Sequence, residues 1–406
     1  MSDLVSIDEG RRRVLEAVRP LPAEDVGVAA ALGRVLSEDI RSAIDVPPFD
    51  SSALDGYAAV AGPAAELEVV GEARAGHPAR ERVEPGTAIR ISTGAGIPEG
   101  ATAVVPVERS EPAAERSEPA VERSEPAAVR VDDSRPGANI RRAGEDIRAG
   151  ELVLRAGSVL GPPELGVAAS VGLASLRCSR RPRVAVLVTG DELTEPGTPL
   201  APGGIYSSNG LALAAQVQRA GAESRPPRTV RDSAEETRAA LGEALDSADV
   251  VVVSGGVSVG AHDHVKAAFA ELGVEERFWG VSLRPGKPTW FGARGGVLAF
   301  GLPGNPVSAM VTFHLFARAA LAALQGADPS PSRGFATLAE PIARHRSREQ
   351  AVRVTLRSGA DGWRAAPTGP QGSHMLTSML GADAVARIEP GDGELGAGER
   401  VEVELL

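Results

Sequence analysis

The chain has 406 residues, 43% of them hydrophobic and 24% charged, enough for two to four domains that each bury a core. Its net charge of -11 argues against a general nucleic-acid or anionic-lipid surface, so an anionic ligand has to be held by a local site. With 47 Gly, 31 Pro, only 3% aromatics and no uncharged apolar run of bilayer-spanning length, the chain reads as a turn-rich α/β protein without a membrane span.

The start of the chain, Met1-Ser2-Asp3-Leu4, has no basic region followed by an apolar stretch, and Cys178 stands alone without a disulfide or Cys-rich metal partner; both favour the cytoplasm. Ser6-Ile7-Asp8-Glu9 is a capping box, and Val14, Leu15 and Val18 share a helical face up to Pro20. A second short helix is expected from about Asp25 to Gly33. From Val46 to Val107 short β-type runs (Glu68 to Val70, Ala88 to Ile91, Ala103 to Val107) alternate with Gly and Pro, the pattern of a small β-rich lobe. Glu-Arg-Ser-Glu-Pro then recurs from Glu108, Glu115 and Glu122. A proline in every unit and no apolar seam exclude a coiled coil and leave a solvated hairpin loop.

Beyond Arg183 apolar strands alternate with capped helices. Val184 to Val188 and Asp249 to Val253 read as buried strands. Helices follow at Leu211 to Ala220, from Ser233 to about Ala248, and at His262 to Leu272. Further strands are expected near Phe278 to Leu283 and Val297 to Phe300, after which Asn305-Pro306 opens a helix to Leu324. This alternation predicts a doubly wound α/β domain. From about Pro331, alternating Val352, Val354, Leu356 and Val401, Val403, Leu405 predict a separate all-β domain.

Ligands of open parallel sheets sit beyond the C-terminal strand ends. Ser254-Gly-Gly-Val-Ser-Val-Gly260 there reads either as an anion-binding turn or as a plain tight βα turn, with Asp263 in the next helix or a dipole partner of it. Thr189-Gly-Asp-Glu-Leu193 brings Asp191 and Glu192 to a neighbouring end, where carboxylates can hold a divalent cation. Gly301-Leu-Pro-Gly-Asn-Pro-Val-Ser308 is a third turn. Leu283-Arg-Pro-Gly-Lys-Pro288 projects Arg284 and Lys287, and the chain's only other lysine is Lys266. The six histidines, His77, His262, His264, His314, His345 and His374, show no metalloprotease or triad spacing.

Taken in order, Pro48-Phe-Asp-Ser-Ser-Ala-Leu-Asp-Gly-Tyr-Ala58, Ile91-Ser-Thr-Gly-Ala95, Gly144-Glu-Asp-Ile147, Thr189-Gly-Asp-Glu-Leu193, Ser254 to Asp263, Arg284-Pro-Gly-Lys-Pro288, Leu302-Pro-Gly-Asn-Pro-Val-Ser308 and Gln371-Gly-Ser-His-Met375 resemble the molybdopterin molybdenumtransferases, the family that includes the gephyrin E domain. The resemblance implies an elongated four-part homodimer. Its parts are an α/β molybdopterin-binding domain (1–22 and 179–330), a linking domain (23–41 and 151–178), a β-rich lobe (42–150) and a C-terminal β-barrel (331–406). It also implies the reaction, in which adenylylated molybdopterin and molybdate, or tungstate, give molybdenum cofactor and AMP with Mg²⁺ present.

Carried over residue by residue, Asp55, Asp232, Asp263 and Lys287 would be catalytic. Thr93, Gly94, Asp146, Glu192, Gly255, Gly256, Ser258, Gly260, Arg284, Pro288, Ser308, Arg353 and Ser373 would bind substrate, with Lys287, Pro288, Ser308, Arg353 and Ser373 around molybdate. Asp55, Glu192 and Asp263 would hold Mg²⁺. Two positions depart from the family's Trp-Lys-x-x-x-Lys-Pro-Gly-Lys-Pro: Gly280 loses a lysine and Arg284 replaces one. Adenylyl transfer to molybdopterin and a gephyrin-like scaffold are the competing readings.

Overall fold

The computed structural model describes residues 4–113, 128–257 and 264–406. The chain divides into two compact units, one of Met1–Glu38, Ala156–Leu160 and Leu176–Leu406, the other of Asp39–Arg155 and Gly161–Ser175.

At the heart of the first unit three parallel strands, Arg183–Thr189, Val250–Ser254 and Val297–Leu302, lie side by side. Their side chains alternate between two cores, as strand geometry requires. Val184, Val186, Val250, Val252, Leu298 and Phe300 pack on one face with helices Ile7–Ala17 and Asn209–Arg219. Ala185, Leu187, Val251, Val253 and Ala299 pack on the other with helices Ala234–Ser247 and Val265–Glu271. Helices on both faces make the domain doubly wound.

The sheet is mixed rather than wholly parallel. Trp290–Arg294 and Glu275–Trp279 add antiparallel strands at one edge, and the first of these was not expected from the sequence. The strand expected to run from Phe278 to Leu283 ends at Trp279, and Leu283–Arg284 joins a different sheet.

The expected helix from Asp25 to Gly33 is instead the strand Ala23–Gly27, paired with Ser175–Ser179, followed by a single 3₁₀ turn at Val28–Ala30. Backbone pairing overrides helix propensity there. At the first helix only half of the capping box forms: the Ser6 hydroxyl accepts from the Glu9 N–H, while the Glu9 carboxylate is taken by Arg12 and Arg13. The apolar stretch at 306–324 is long enough to span a membrane, but most of it is buried among the core side chains. It is interrupted by a π-helical segment, Phe313–Ala317, between the α-helices Pro306–Thr312 and Arg318–Leu324.

Five C-terminal strands close into a barrel. Glu349–Gly359 pairs with Gly362–Pro367 and Ala384–Ile388, and Arg333–Leu338 and Arg400–Leu405 complete the ring. Val352, Val354, Val401 and Val403 fill it, but Leu405 at the end of its strand is half exposed. A buried ion network ties the first helix to this barrel. The Arg11 guanidinium donates to Leu315 O and, at 2.7 Å, to the fully buried Glu404 carboxylate.

The second unit contains a six-stranded sheet in the order Ala103–Pro106, Gly56–Ala59, Thr87–Ile91, Ala65–Ala73, Ala128–Val131, Ser110–Pro112. Part of the first repeat, Ser110–Pro112, forms an edge strand antiparallel to Ala128–Val131, where proline is tolerated. The later repeats fall on 114–127, outside the described residues.

Candidate functional site

The strand-end turns of the first unit converge on a pocket of about 290 Å³ whose walls include Thr189, Glu192, Asp232, Gly256, Pro288 and Gly304. Glycine is required at the centre of it. Gly255 has φ +98°, and a Cβ there would stand 2.6 Å from Thr189 Oγ1 and 2.9 Å from Thr189 O. Gly256 has φ +64°, and its Cβ would meet Val265 Cγ2 at 2.6 Å. The Gly255 N–H donates to Leu302 O at 3.0 Å. Gly255 therefore supplies close approach, and the Gly256 amide has no acceptor among the described residues.

Asn209, which sequence reasoning passed over, welds two of the turns. Its Nδ2 donates to Ser254 Oγ at 2.9 Å and to Gly304 O at 2.7 Å, and the Ser254 hydroxyl donates to Pro303 O at 3.0 Å. The only signal in the sequence is an Asn-Gly pair opening the helix after Ile205-Tyr206. Trp279 was likewise passed over for this role: its indole N–H donates to Val257 O at 3.0 Å, and the Lys266 ammonium lies 4.3 Å from its ring centre.

Three acids gather on one side. The Asp232 N–H donates to Asp191 Oδ1 at 3.2 Å. Burial, followed by the charges of Asp191 and Glu192, raises the Asp232 carboxyl above its ordinary value. Among the described residues no group of three or more His, Cys, Asp and Glu is arranged as a closed metal cage. Ser258, Gly260 and Asp263 lie outside the described residues.

The Leu283–Arg284 strand pairs in parallel with Glu349 and Gln350 of the barrel. Beyond it the turn is closed by the buried Thr289 hydroxyl, which donates to Gly286 O at 2.7 Å. As a result the turn serves two pockets. Pro288 faces the strand ends, while Arg284 lines a second cavity of about 370 Å³ together with Gln350, Arg353, Gln371 and Gly372. Lys287 is exposed, and its ammonium has no partner among the described residues.

Arg353 is 1% exposed, and burial lowers its pKa to about 10. Its Nε and one terminal nitrogen donate to Ser378 Oγ at 3.2 and 3.0 Å. The Gln371 side chain clasps its backbone, accepting from the Arg353 N–H and donating to Arg353 O. No carboxylate neutralises it among the described residues. Ser373 sits at the start of the helix that carries the buried Ser308: its hydroxyl accepts from Asn305 Nδ2 at 2.9 Å and its carbonyl from the Val307 N–H at 3.1 Å. Asn305 thus ties Ser373 in place and makes no side-chain cap. The family position occupied by Gly280 has φ +89°, a backbone that disfavours lysine.

In the second unit Asp55 Oδ1 accepts from the Thr93 N–H at 2.6 Å and the Thr93 hydroxyl at 2.9 Å. The amide first and the hydroxyl second hold the Asp55 carboxyl below its usual range. Gly94, at φ +79°, donates to Ser52 O and closes this corner. Asp146 is exposed on a separate turn whose backbone returns to Val46, and it makes no hydrogen bond to Asp55 or Thr93.

A doubly wound domain with glycine-lined strand-end turns, a five-stranded barrel and a β-rich unit define a multidomain α/β chain. Three family profiles match it: the MoeA N-terminal region (domain I and II) at 5–172, the probable molybdopterin binding domain at 185–323, and the MoeA C-terminal region (domain IV) at 336–406. Molybdopterin molybdenumtransferase 2 of Mycobacterium tuberculosis is 37% identical over 98% of both chains. The molybdopterin molybdenumtransferase of Haemophilus influenzae is 35% identical over 99% of this chain and 98% of its own. The crystal structure of the molybdopterin biosynthesis MoeA protein of Pyrococcus horikoshii superposes with a TM-score of 0.79 at 32% identity, covering 99% of each chain. The chain belongs to the molybdopterin molybdenumtransferase family and is a transferase.

Proposed function

We propose that this chain inserts molybdenum from molybdate into adenylylated molybdopterin and releases AMP. The observation that carries the reading is the Arg284 to Pro288 turn, which borders both the acidic, glycine-lined strand-end pocket and the cationic cavity of Arg284 and Arg353. One pocket suits a phosphoanhydride and the other an oxyanion, and the shared turn brings the two substrates to adjoining walls.

The Gly256 amide and the helix start after Gly304 meet phosphate oxygens in the first pocket. Arg353, fixed by Ser378 and Gln371, and Arg284 neutralise the oxyanion, while Lys287, unpaired among the described residues, follows Arg284 on the turn. Ser308 and Ser373 add hydroxyls at the helix start. Asp55 is fixed by Thr93 as a preorganised carboxylate, and Asp146 and Asp263 complete the carried-over acidic set.

The donor set fits Mg²⁺. Asp232 is raised by burial and then by its acidic neighbours, so a cation relieves the repulsion, and Mg²⁺ takes one or two carboxylates together with substrate phosphate and water rather than a closed cage. Glu192 and Asp232, with Asp191 beside them, would hold it; Asp55 and Asp263 remain candidates by family resemblance. Bound there, Mg²⁺ supplies charge neutralisation on the phosphoanhydride. A homodimer acting in the cytoplasm, with tungstate as an alternative oxyanion, completes the proposal.

The test is AMP release from adenylylated molybdopterin by the purified chain with Mg²⁺, adding molybdate, tungstate or neither. Oxyanion-dependent release is expected. Tight binding of the adenylylated pterin without release under any condition would sink the transferase reading and favour a scaffold.

A further inference from the structure

The outer wall of the C-terminal barrel carries a row of like charges that the proposed reaction leaves unused. Its register runs unbroken across four strands. Arg357 of Glu349–Gly359 stands opposite Arg364 of Gly362–Pro367, Arg364 opposite Thr337 of Arg333–Leu338, and Thr337 opposite Arg400 of Arg400–Leu405. At ordinary strand spacing the row is about 14 Å long.

Strand alternation fixes which way the row faces. Leu356, Ala365, Ala336 and Val401, each next in sequence to one of its members, pack into the barrel core, so the row points outward. All three arginines are exposed. Phe335, two residues before Thr337 and on the same face, is 54% exposed. The Arg400 guanidinium carbon stands 4.0 Å from its ring centre, a contact that holds this charge in place.

Such a row works against folding. Like charges directly opposite each other destabilise a strand pair, and among the described residues none of the three guanidiniums forms an ion pair. The acid on the same face, Glu402 opposite Phe335, is approached instead by Arg333 and Arg387. Uncompensated arginines beside an exposed aromatic ring have the composition of a protein interface, and their planar guanidiniums match carboxylates. The extent of the row selects the partner. A nucleic acid or an anionic membrane runs on past it and meets a chain of net charge -11, whereas a short acidic segment ends where the row ends.

We propose that this face docks an acidic segment of another protein. One carboxylate bridges Arg357 and Arg364, which are about 5 Å apart at strand spacing, and a second, about three or four residues further along an extended segment, meets Arg400. Phe335 receives an apolar side chain beside them.

The test is fluorescence anisotropy of a labelled octaglutamate peptide titrated with the full-length protein at low salt. Saturable binding is expected, and it should weaken as salt rises. Arg357→Glu with Arg364→Glu should weaken it by about tenfold or more. Arg346→Glu, which reverses an exposed arginine outside the row whose ion pair is with Asp392, should leave it unchanged. If the double reversal fails to fold, Arg357→Gln with Arg364→Gln, which also relieves the like-charge pair, should show the same loss. No binding at low salt would overturn the proposal, as would undiminished binding by a folded row variant or an equal loss in Arg346→Glu. So would a single-stranded DNA oligomer or phosphatidylserine vesicles binding the row more tightly than the peptide does.

Discussion

His314 is a neutral imidazole among arginines. Burial first, then Arg318, against an opposing pull from Glu404, lowers its pKa to about 4 from 6.5. The unfolded ring takes its proton near pH 6.5 and the native ring only near pH 4, so between those values the unfolded state binds more protons. Native stability from this residue is therefore fully present above about pH 6.5 and lost as pH falls towards 4, a difference of about 3 kcal/mol. Urea unfolding at pH 7 and near pH 4 should show it, and His314→Gln should lose less stability over the same range. Equal losses in the two proteins would assign the acid sensitivity elsewhere. At the strand ends, Asp232→Asn removes a carboxylate from a group crowded by Asp191 and Glu192. It should raise the Mg²⁺ concentration for half-maximal AMP release about tenfold, with an unchanged circular dichroism spectrum; an unaltered Mg²⁺ requirement would remove Asp232 from the metal site.

Turns and strands decide more than single side chains at the next scale. Gly255→Ala would force a side chain into a left-handed backbone against Thr189, at a cost of about 1–3 kcal/mol, and should weaken binding of the adenylylated pterin. Calorimetry and a binding titration on the same sample check both, and an alanine variant as stable and tight-binding as the parent would refute the close-approach argument. The parallel strands and glycine turns were legible because Val184 to Val188 and Asp249 to Val253 are short apolar runs stopped by glycine. Trp290–Arg294 was not, because both of its faces are buried and alternation vanishes. Ala23–Gly27 was misread because Ala-Glu-Asp-Val-Gly carries little β signal, and only its pairing with Ser175–Ser179 makes it a strand. Of the residues named by motif, Glu192, Asp232, Gly255, Gly256 and Pro288 line one pocket and Arg284 and Arg353 another. Asn209 was missed, since its work is to join two turns, at Ser254 and Gly304, that are far from it in sequence.

For the molecule as a whole, the Arg11 to Glu404 pair joins the first helix to the last strand. Removing one partner strands a buried charge, so Arg11→Met should destabilise the chain by about 3 kcal/mol, and Arg11→Met with Glu404→Met should recover most of it. Denaturant midpoints of the single and double variants measure this, and a double variant no better than the single would show that Arg333 and Arg387 need Glu404 as much as Arg11 does. The two-residue pairing of Leu283–Arg284 with Glu349 and Gln350 has an architectural consequence. The barrel works as a jig for the α/β domain's cationic turn, and the two cannot be treated as exchangeable modules. A chimera carrying a foreign barrel would keep every glycine turn and lose the alignment of Arg284 with Arg353, so variation in the oxyanion pocket has to arise in both domains together.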